Sequence, residues 1–215
     1  MIDTKKNIEE FENIYNTYIL PRDGADRLLE FIRKSDFYTA PASTRFHLSE
    51  EGGLLQHSLN VYKCLMNKAS NPTWTSVVTP DKYATVACVA LLHDLCKTYF
   101  YEKELKNTKS YDPDVVASFN GNGVKHDAKG DYVWTMTESY TYNNRFPLGH
   151  GAKSVFFIQQ FIKLSMEEIA CIYWHMGAYC DSSQWNELGD AYEKYPLALA
   201  LHEADMEATH LLEVN

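Results

Sequence analysis

His93-Asp94 sets an imidazole beside a carboxylate at the end of the most apolar stretch of the chain, ATVACVALL. A carboxylate there meets a low-dielectric surrounding and, on a helix, the negative end of the dipole. Something positive must compensate, either Lys97 or a bound divalent cation. Other polar residues fall where apolar ones are expected. His57 shares a helical face with Leu54, Val61 and Leu65, and Asp205 lies between Leu201 and Ala208. His175 closes an apolar run just before Gly177, and His150 opens a helical run in Leu-Gly-His-Gly. Polar groups turned inward need partners. Imidazoles and carboxylates converging from several helices are a common way to build a metal site in a bundle core. Mixed nitrogen and oxygen ligands suit Mn, Fe, Co, Ni or Zn better than Ca. Taken singly, each residue has a plainer role: a hydrogen-bonded core histidine, a salt bridge from Asp94 to Lys97, or a cap or partner for His202 at Asp205. The coincidence of several such residues on separate helices argues for metal.

Helices must position these groups, and the periodicity supplies them. Residues 4–19 put Ile8, Phe11, Tyr15 and Tyr18 on one face, and Pro21 ends that helix. Residues 23–34 carry Leu28, Leu29, Phe31 and Ile32, and a polar loop covers 35–52. A third helix spans 53–68. Thr79-Pro80-Asp81 reads as cap, first helical residue and first-turn acid of a helix over 80–96, apolar all round and therefore central. Helices follow over 149–163, from the capping-box pair Ser165 and Glu168 to about Gly177, and over 196–212, with a loop before the last. The inner face of the last is Leu197, Leu201, Ala204, Asp205, Ala208 and Leu212. The segment 98–147 differs: it is rich in tyrosine and turn signals, and Tyr132–Tyr142 alternates like a strand. It reads as an insertion with a β-hairpin or small sheet. Its aromatics, Tyr99, Tyr101, Tyr132, Trp134, Tyr140 and Tyr142, either pack a strand face on the bundle, the favoured reading, or line a base-stacking pocket. The expectation is one domain over 1–215, with N-terminal helices in 1–35 and all-α apart from that insertion.

A net charge of -9 argues against a broad surface for duplex nucleic acid, though not against a small nucleotide at a cation site. The five cysteines, Cys64, Cys88, Cys96, Cys171 and Cys180, form no CxxC pair and read as buried reduced thiols. Without an apolar stretch of membrane-spanning length or a secretory h-region, a cytoplasmic protein with no membrane partner is expected.

The order His57, His93-Asp94, Asp205 resembles the H…HD…D signature of the HD superfamily of metal-dependent phosphohydrolases. The words around it are similar too: GGLLQHSLNV, LLHDLCK and LHEADMEAT. The resemblance runs from about Phe46 to about Leu212. It implies an all-α HD-domain helical bundle carrying the small β insertion. It also implies two divalent transition metals, with His57, His93, Asp94 and Asp205 holding one. His150 in PLGHGAKS and His175 in IYWHMGAY would hold the second, with Asp94 bridging. Asp94 and Lys97, the latter placed as in HDxxK phosphodiesterases, would be catalytic. Lys97, with Arg45, His47 and Lys153, would contact substrate phosphate. His126, His202 and His210 would be dispensable for metal.

The longer motifs of the cyclic-dinucleotide, ppGpp and dNTP branches are missing. The chain is more similar to the HD domain of bacterial 3′–5′ exoribonucleases and to small stand-alone or phage-borne HD proteins. The reaction implied is hydrolysis of a nucleotide or short-strand phosphate ester by a metal-activated hydroxide. Two alternatives stay open. One is an HD-type mixed-valent di-iron oxygenase acting on a small hydroxylated substrate. The other is a nucleotide-binding regulatory module with a structural metal.

Overall fold

The computed structural model describes residues 2–214. It is mostly helical, with one three-stranded antiparallel sheet. Helix α1, Thr4–Tyr18, starts at Asp3, whose side chain accepts from the Lys6 amide, and buries Phe11 and Tyr15. Helix α2 is Ala25–Lys34, with Leu28, Leu29 and Ile32 inward and Phe31 only partly buried. Helix α3, Gly53–Asn67, enters on Gly52 at φ +83 and carries His57. A Cβ at Gly53 would lie 2.1 Å from the Leu48 carbonyl oxygen, so the loop over 35–52 is pressed against the start of α3.

Helix α4, Tyr83–Leu92, is the central element. Val86 through Leu92 are all buried, as a helix apolar on every side requires. It packs on α1, α3 and the later helix over Met166–Trp174. The helix expected over 80–96 is in fact three pieces. Pro80–Lys82 is a 3-10 turn, and Thr79 makes no side-chain cap bond. The α-helix stops at Leu92, and Leu95–Lys97 is a second tight turn. The break falls at the His93-Asp94 pair, where Asp94 leaves helical geometry at φ -105, ψ 20. Tyr99 then adopts φ +54, anchored by Asp36, whose carboxylate accepts from the Tyr99 amide at 2.8 Å. That turn sends the chain outward.

Strand β1, Tyr101–Ser110, pairs antiparallel with β3, Gly130–Tyr142, from Tyr101↔Tyr142 to Ser110↔Val133. Strand β2, Lys125–Asp127, pairs with the other edge of β3. Helix α5, Pro113–Ser118, capped by Asp112, packs on β3. The aromatics divide along the sheet. Tyr132 and Trp134 cluster with Tyr111 and Lys109 at its far end, and only Tyr101 and Tyr142, at the stem, reach the cleft described below.

The chain returns as α6, His150–Ile158, shorter than the 149–163 expected, and α7, Met166–Trp174. Ser165 and Glu168 form the reciprocal capping box. The stretch before the last helix is not a plain loop. Trp185–Lys194 forms α8, which buries only Leu188, so no apolar stripe announced it. Helix α9 is Pro196–Glu207, and a π-type turn over Ala208–Leu212 follows. That turn rotates Leu212 outward, to 57% exposed, against its expected inner position.

Candidate metal centre

Four elements deliver the inward polar groups to one place. His57 comes from α3, His93 and Asp94 from the end of α4, His175 from the end of α7, and Asp205 from α9. His57, His93, Asp94 and His175 are almost fully buried. The ligand-type atoms form overlapping groups, each within 4.8 Å: His57, His93 and Asp94; then His93, His175 and Asp205.

The far side of each ring fixes its protonation. His93 Nδ1 lies 2.9 Å from the Ala90 carbonyl and His175 Nδ1 2.7 Å from the Ile172 carbonyl. A carbonyl can only accept, so each Nδ1 carries a proton and it is Nε2 that each ring turns to the centre, free to ligate in the neutral form. His57 Nδ1 lies 3.1 Å from both carboxylate oxygens of Glu213 and must likewise donate. Its Nε2 is 3.3 Å from His93 Nε2 and 3.2 Å from Asp205 Oδ1. Two lone pairs facing each other at that distance need a cation or a proton between them. His175 Nε2 is buried with no hydrogen-bond partner, 3.7 Å from Asp94 Oδ1. Backbone and carboxylate groups that orient histidine rings in this way are the outer shell typical of metal sites. Buried His/Asp clusters of this make-up could hold metal ions.

Without a cation the centre holds a proton. Burial alone would lower His57, but the Asp205 and Glu213 carboxylates overcome it and raise it to about 10. Burial lowers His175, helped by His93, to about 4. Burial would raise Asp94, yet Lys97 and then His93 hold it well below the ordinary carboxylate range. Lys97 Nζ is 2.7 Å from Asp94 Oδ2 and donates to the Ala42 carbonyl at 2.8 Å. With the histidines neutral, Asp94, Asp205 and Glu213 against Lys97 leave two unbalanced negative charges, which one divalent ion matches.

The centre forms the floor of a cleft of about 720 Å³. His57, Asp94, Lys97, His150, His175 and Asp205 all line it. His150 stands at the wall, grouped with Asp94 and Cys96, with Nδ1 3.4 Å from Cys96 Sγ. His47 is in the wall too, its ring 5.1 Å from that of His57 and lowered to about 4, chiefly by burial.

Two residues expected to meet substrate phosphate are elsewhere. Arg45 is exposed, its guanidinium over the Phe46 ring, and does not line the cleft. Lys153 is buried behind Phe100, donating to Asn144 Oδ1 at 2.7 Å, in a separate apolar pocket of about 440 Å³. His126 pairs with Asp131 out on the sheet. His202 donates to the His175 carbonyl at 2.7 Å, and His210 is exposed at the cleft wall.

Sequence reasoning missed Glu213 and Cys96. Glu213 lies one residue beyond the helix expected over 196–212, at the end of the π-type turn, where no apolar face marked it as turned inward. Cys96 carried one signal, its place beside the His-Asp pair.

No family model matches the chain, and neither a curated protein nor a solved structure matches it.

Proposed function

We propose that the chain is an HD-type metal-dependent phosphohydrolase or phosphodiesterase, cleaving a phosphate ester of a nucleotide or short strand in this cleft. One observation carries the reading: the Nε2 atoms of His57, His93 and His175 converge on Asp94 and Asp205 with their Nδ1 protons already committed. These five residues would hold the first ion. Asp94, with Oδ2 toward His57 and His93 and Oδ1 toward His175 and Cys96, would bridge to a second ion near His150. Such ions, when bound, polarise a phosphoryl oxygen and lower the pKa of bound water.

The chain's own residues do the rest. Lys97 keeps Asp94 ionised, and Glu213 holds the His57 ring in register. Two divalent ions would leave the centre net positive, which suits an anionic phosphate more than a neutral substrate. Phe100, Tyr101 and Tyr142 form one cleft wall, on which a base can stack.

The test is elemental analysis of the purified protein together with hydrolysis of nucleotide esters. Nearly two metals per chain are expected. Asp94→Asn, which keeps a hydrogen bond to Lys97, should lose both metal and turnover while its circular dichroism is unchanged. A variant with full activity would sink the reading.

A second reading, oxidation of a small hydroxylated substrate at an iron-loaded form of the same centre, is favoured by one feature. The cleft wall offers Ser43, Thr44, Tyr101 and Tyr179, while its one Lys or Arg among the described residues, Lys97, is already paired with Asp94. Predominant iron with oxygen consumption, and no ester hydrolysis, would decide for it.

A further inference from the structure

The two oxygens of Asp94 face different company. Oδ2 meets Lys97 at 2.7 Å, His93 Nε2 at 3.4 Å and His57 Nε2 at 3.7 Å. Oδ1 meets no group at ordinary hydrogen-bond length: its neighbours are His175 Nε2 at 3.7 Å and Cys96 Sγ at 4.0 Å. On that side Cys96 Sγ is also 3.4 Å from His150 Nδ1. An oxygen of Asp94, the sulfur of Cys96 and a nitrogen of His150 all lie within 4.8 Å of one another.

The Cys96–His150 separation is that of two ligands on one ion, and the Cys96–Asp94 separation of 4.0 Å would have to close by a few tenths of an ångström. With metal–ligand bonds of roughly 2.0–2.3 Å, the edges of a coordination tetrahedron are about 3.3–3.8 Å. The plain alternative is a thiol donating to His150 Nδ1. That contact is weak, and it leaves Asp94 Oδ1, a buried carboxylate oxygen, facing only distant neighbours.

We propose that Cys96 is a metal ligand, and that Asp94, Cys96 and His150 form a site for a thiophilic divalent ion, Zn²⁺ foremost, with its fourth position open to the cleft. The assignment rests on the metal-centre reading for Asp94 and on no particular reaction. It separates His150 from His175, which groups with His93 and Asp205. Cys96 comes from the turn Leu95–Lys97 and His150 from the first residue of α6, which packs on that turn. Cys96 is 3% exposed, so the sulfur is shielded, while His150 lines the cleft by which an ion can enter. A thiolate with an imidazole selects Zn²⁺ or Co²⁺ over Mn²⁺ or Mg²⁺. On binding, the Cys96 S–H bond breaks, its proton passes to solvent and the sulfur electron pair forms the bond to the metal.

The test is a Co²⁺ titration of the full-length, metal-stripped protein. Visible ligand-field bands report Co²⁺ at either position, and a near-ultraviolet thiolate-to-cobalt charge-transfer band reports a Co–S bond. One equivalent with that band is expected in the unaltered protein. Cys96→Ser should lose the band and keep the visible absorption of the remaining site. His150→Ala should weaken the sulfur-bound equivalent by on the order of tenfold or more. Cys180→Ser, at the one half-exposed thiol, should keep the band. Co²⁺ binding without the band, or a band unchanged in Cys96→Ser, overturns the assignment and leaves the first site standing. No Co²⁺ binding at all overturns both. Should Cys96→Ser fail to fold, the unaltered protein's band and the His150→Ala titration still decide.

Discussion

At the residue scale, Glu213 ties His57, a candidate metal ligand, to the last turn of the fold. It is 5% exposed, and its carboxyl is nonetheless lowered: burial pushes it up, and the hydrogen bond from His57 prevails. Asn60 Nδ2 also donates to it, at 2.9 Å. Glu213→Ala should therefore lower metal affinity by about 10–100-fold, the usual cost of losing an orienting carboxylate behind a histidine. Competition against a chromophoric chelator measures it, and unchanged affinity would make Glu213 a packing residue only. The same histidine sets a pH dependence. Its folded value, about 10, lies above the usual 6.5. In the metal-free protein the charged ring thus contributes stability that is complete below pH 6.5 and lost as pH rises through 10. A metal must displace that proton, so apparent affinity for the first ion should climb by about tenfold per pH unit between pH 7 and 9. A flat profile would place the proton elsewhere. His57 and Asp205 were legible in the sequence as polar residues on apolar faces, and His93, Asp94 and His175 as polar residues closing apolar helical runs, where partners are needed. Glu213 was not, since it lies past the expected helix at the end of a π-type turn, and Cys96 was read only as one more buried thiol.

At the element scale, the site depends on how closely α6 and α7 approach. Gly151 makes that approach possible: a Cβ there would lie 2.1 Å from the Tyr173 carbonyl oxygen and 2.6 Å from that of Ile172. Backbone cannot yield as a side chain can, so Gly151→Ala must push the helices apart. The expected cost is about 1–3 kcal/mol in urea unfolding, as for other overpacked sites. His150 adjoins Gly151 and His175 follows α7, so metal stoichiometry should fall as well. Full stoichiometry at native stability would show that the helices have slack. Periodicity found seven of the helices, because each has an apolar stripe or, like α4, is apolar all round. It could not find α8, which buries one leucine, nor the break after Leu92. That break serves the site: His93 turns its Nδ1 back onto the Ala90 carbonyl and so aims Nε2 inward.

At the scale of the whole molecule, the sheet is an outgrowth whose stem alone belongs to the site. Tyr101 donates to the Ala42 carbonyl at 2.9 Å, the same oxygen that receives Lys97, and Tyr142 stacks on Phe100 at 5.5 Å. Beyond the stem the strands pack chiefly on one another and on α5, and no residue of 105–138 lines the cleft. Val133 and Tyr132 are buried out there, in a small core that would leave together with its surroundings. Because Glu104 pairs with Ser139, residues 105–138 can be replaced by Asn-Gly, which closes a two-residue hairpin without disturbing the register at Tyr101↔Tyr142. The shortened protein should keep its metal content and melt within about 2–4 °C of the full chain, a change of roughly 1 kcal/mol at this size. If the sheet instead closes over the cleft during turnover, KM should rise with metal content unchanged. Loss of metal from the shortened chain would mean that the sheet holds the centre together through Ala42 and Lys97, and the division between outgrowth and site would fall.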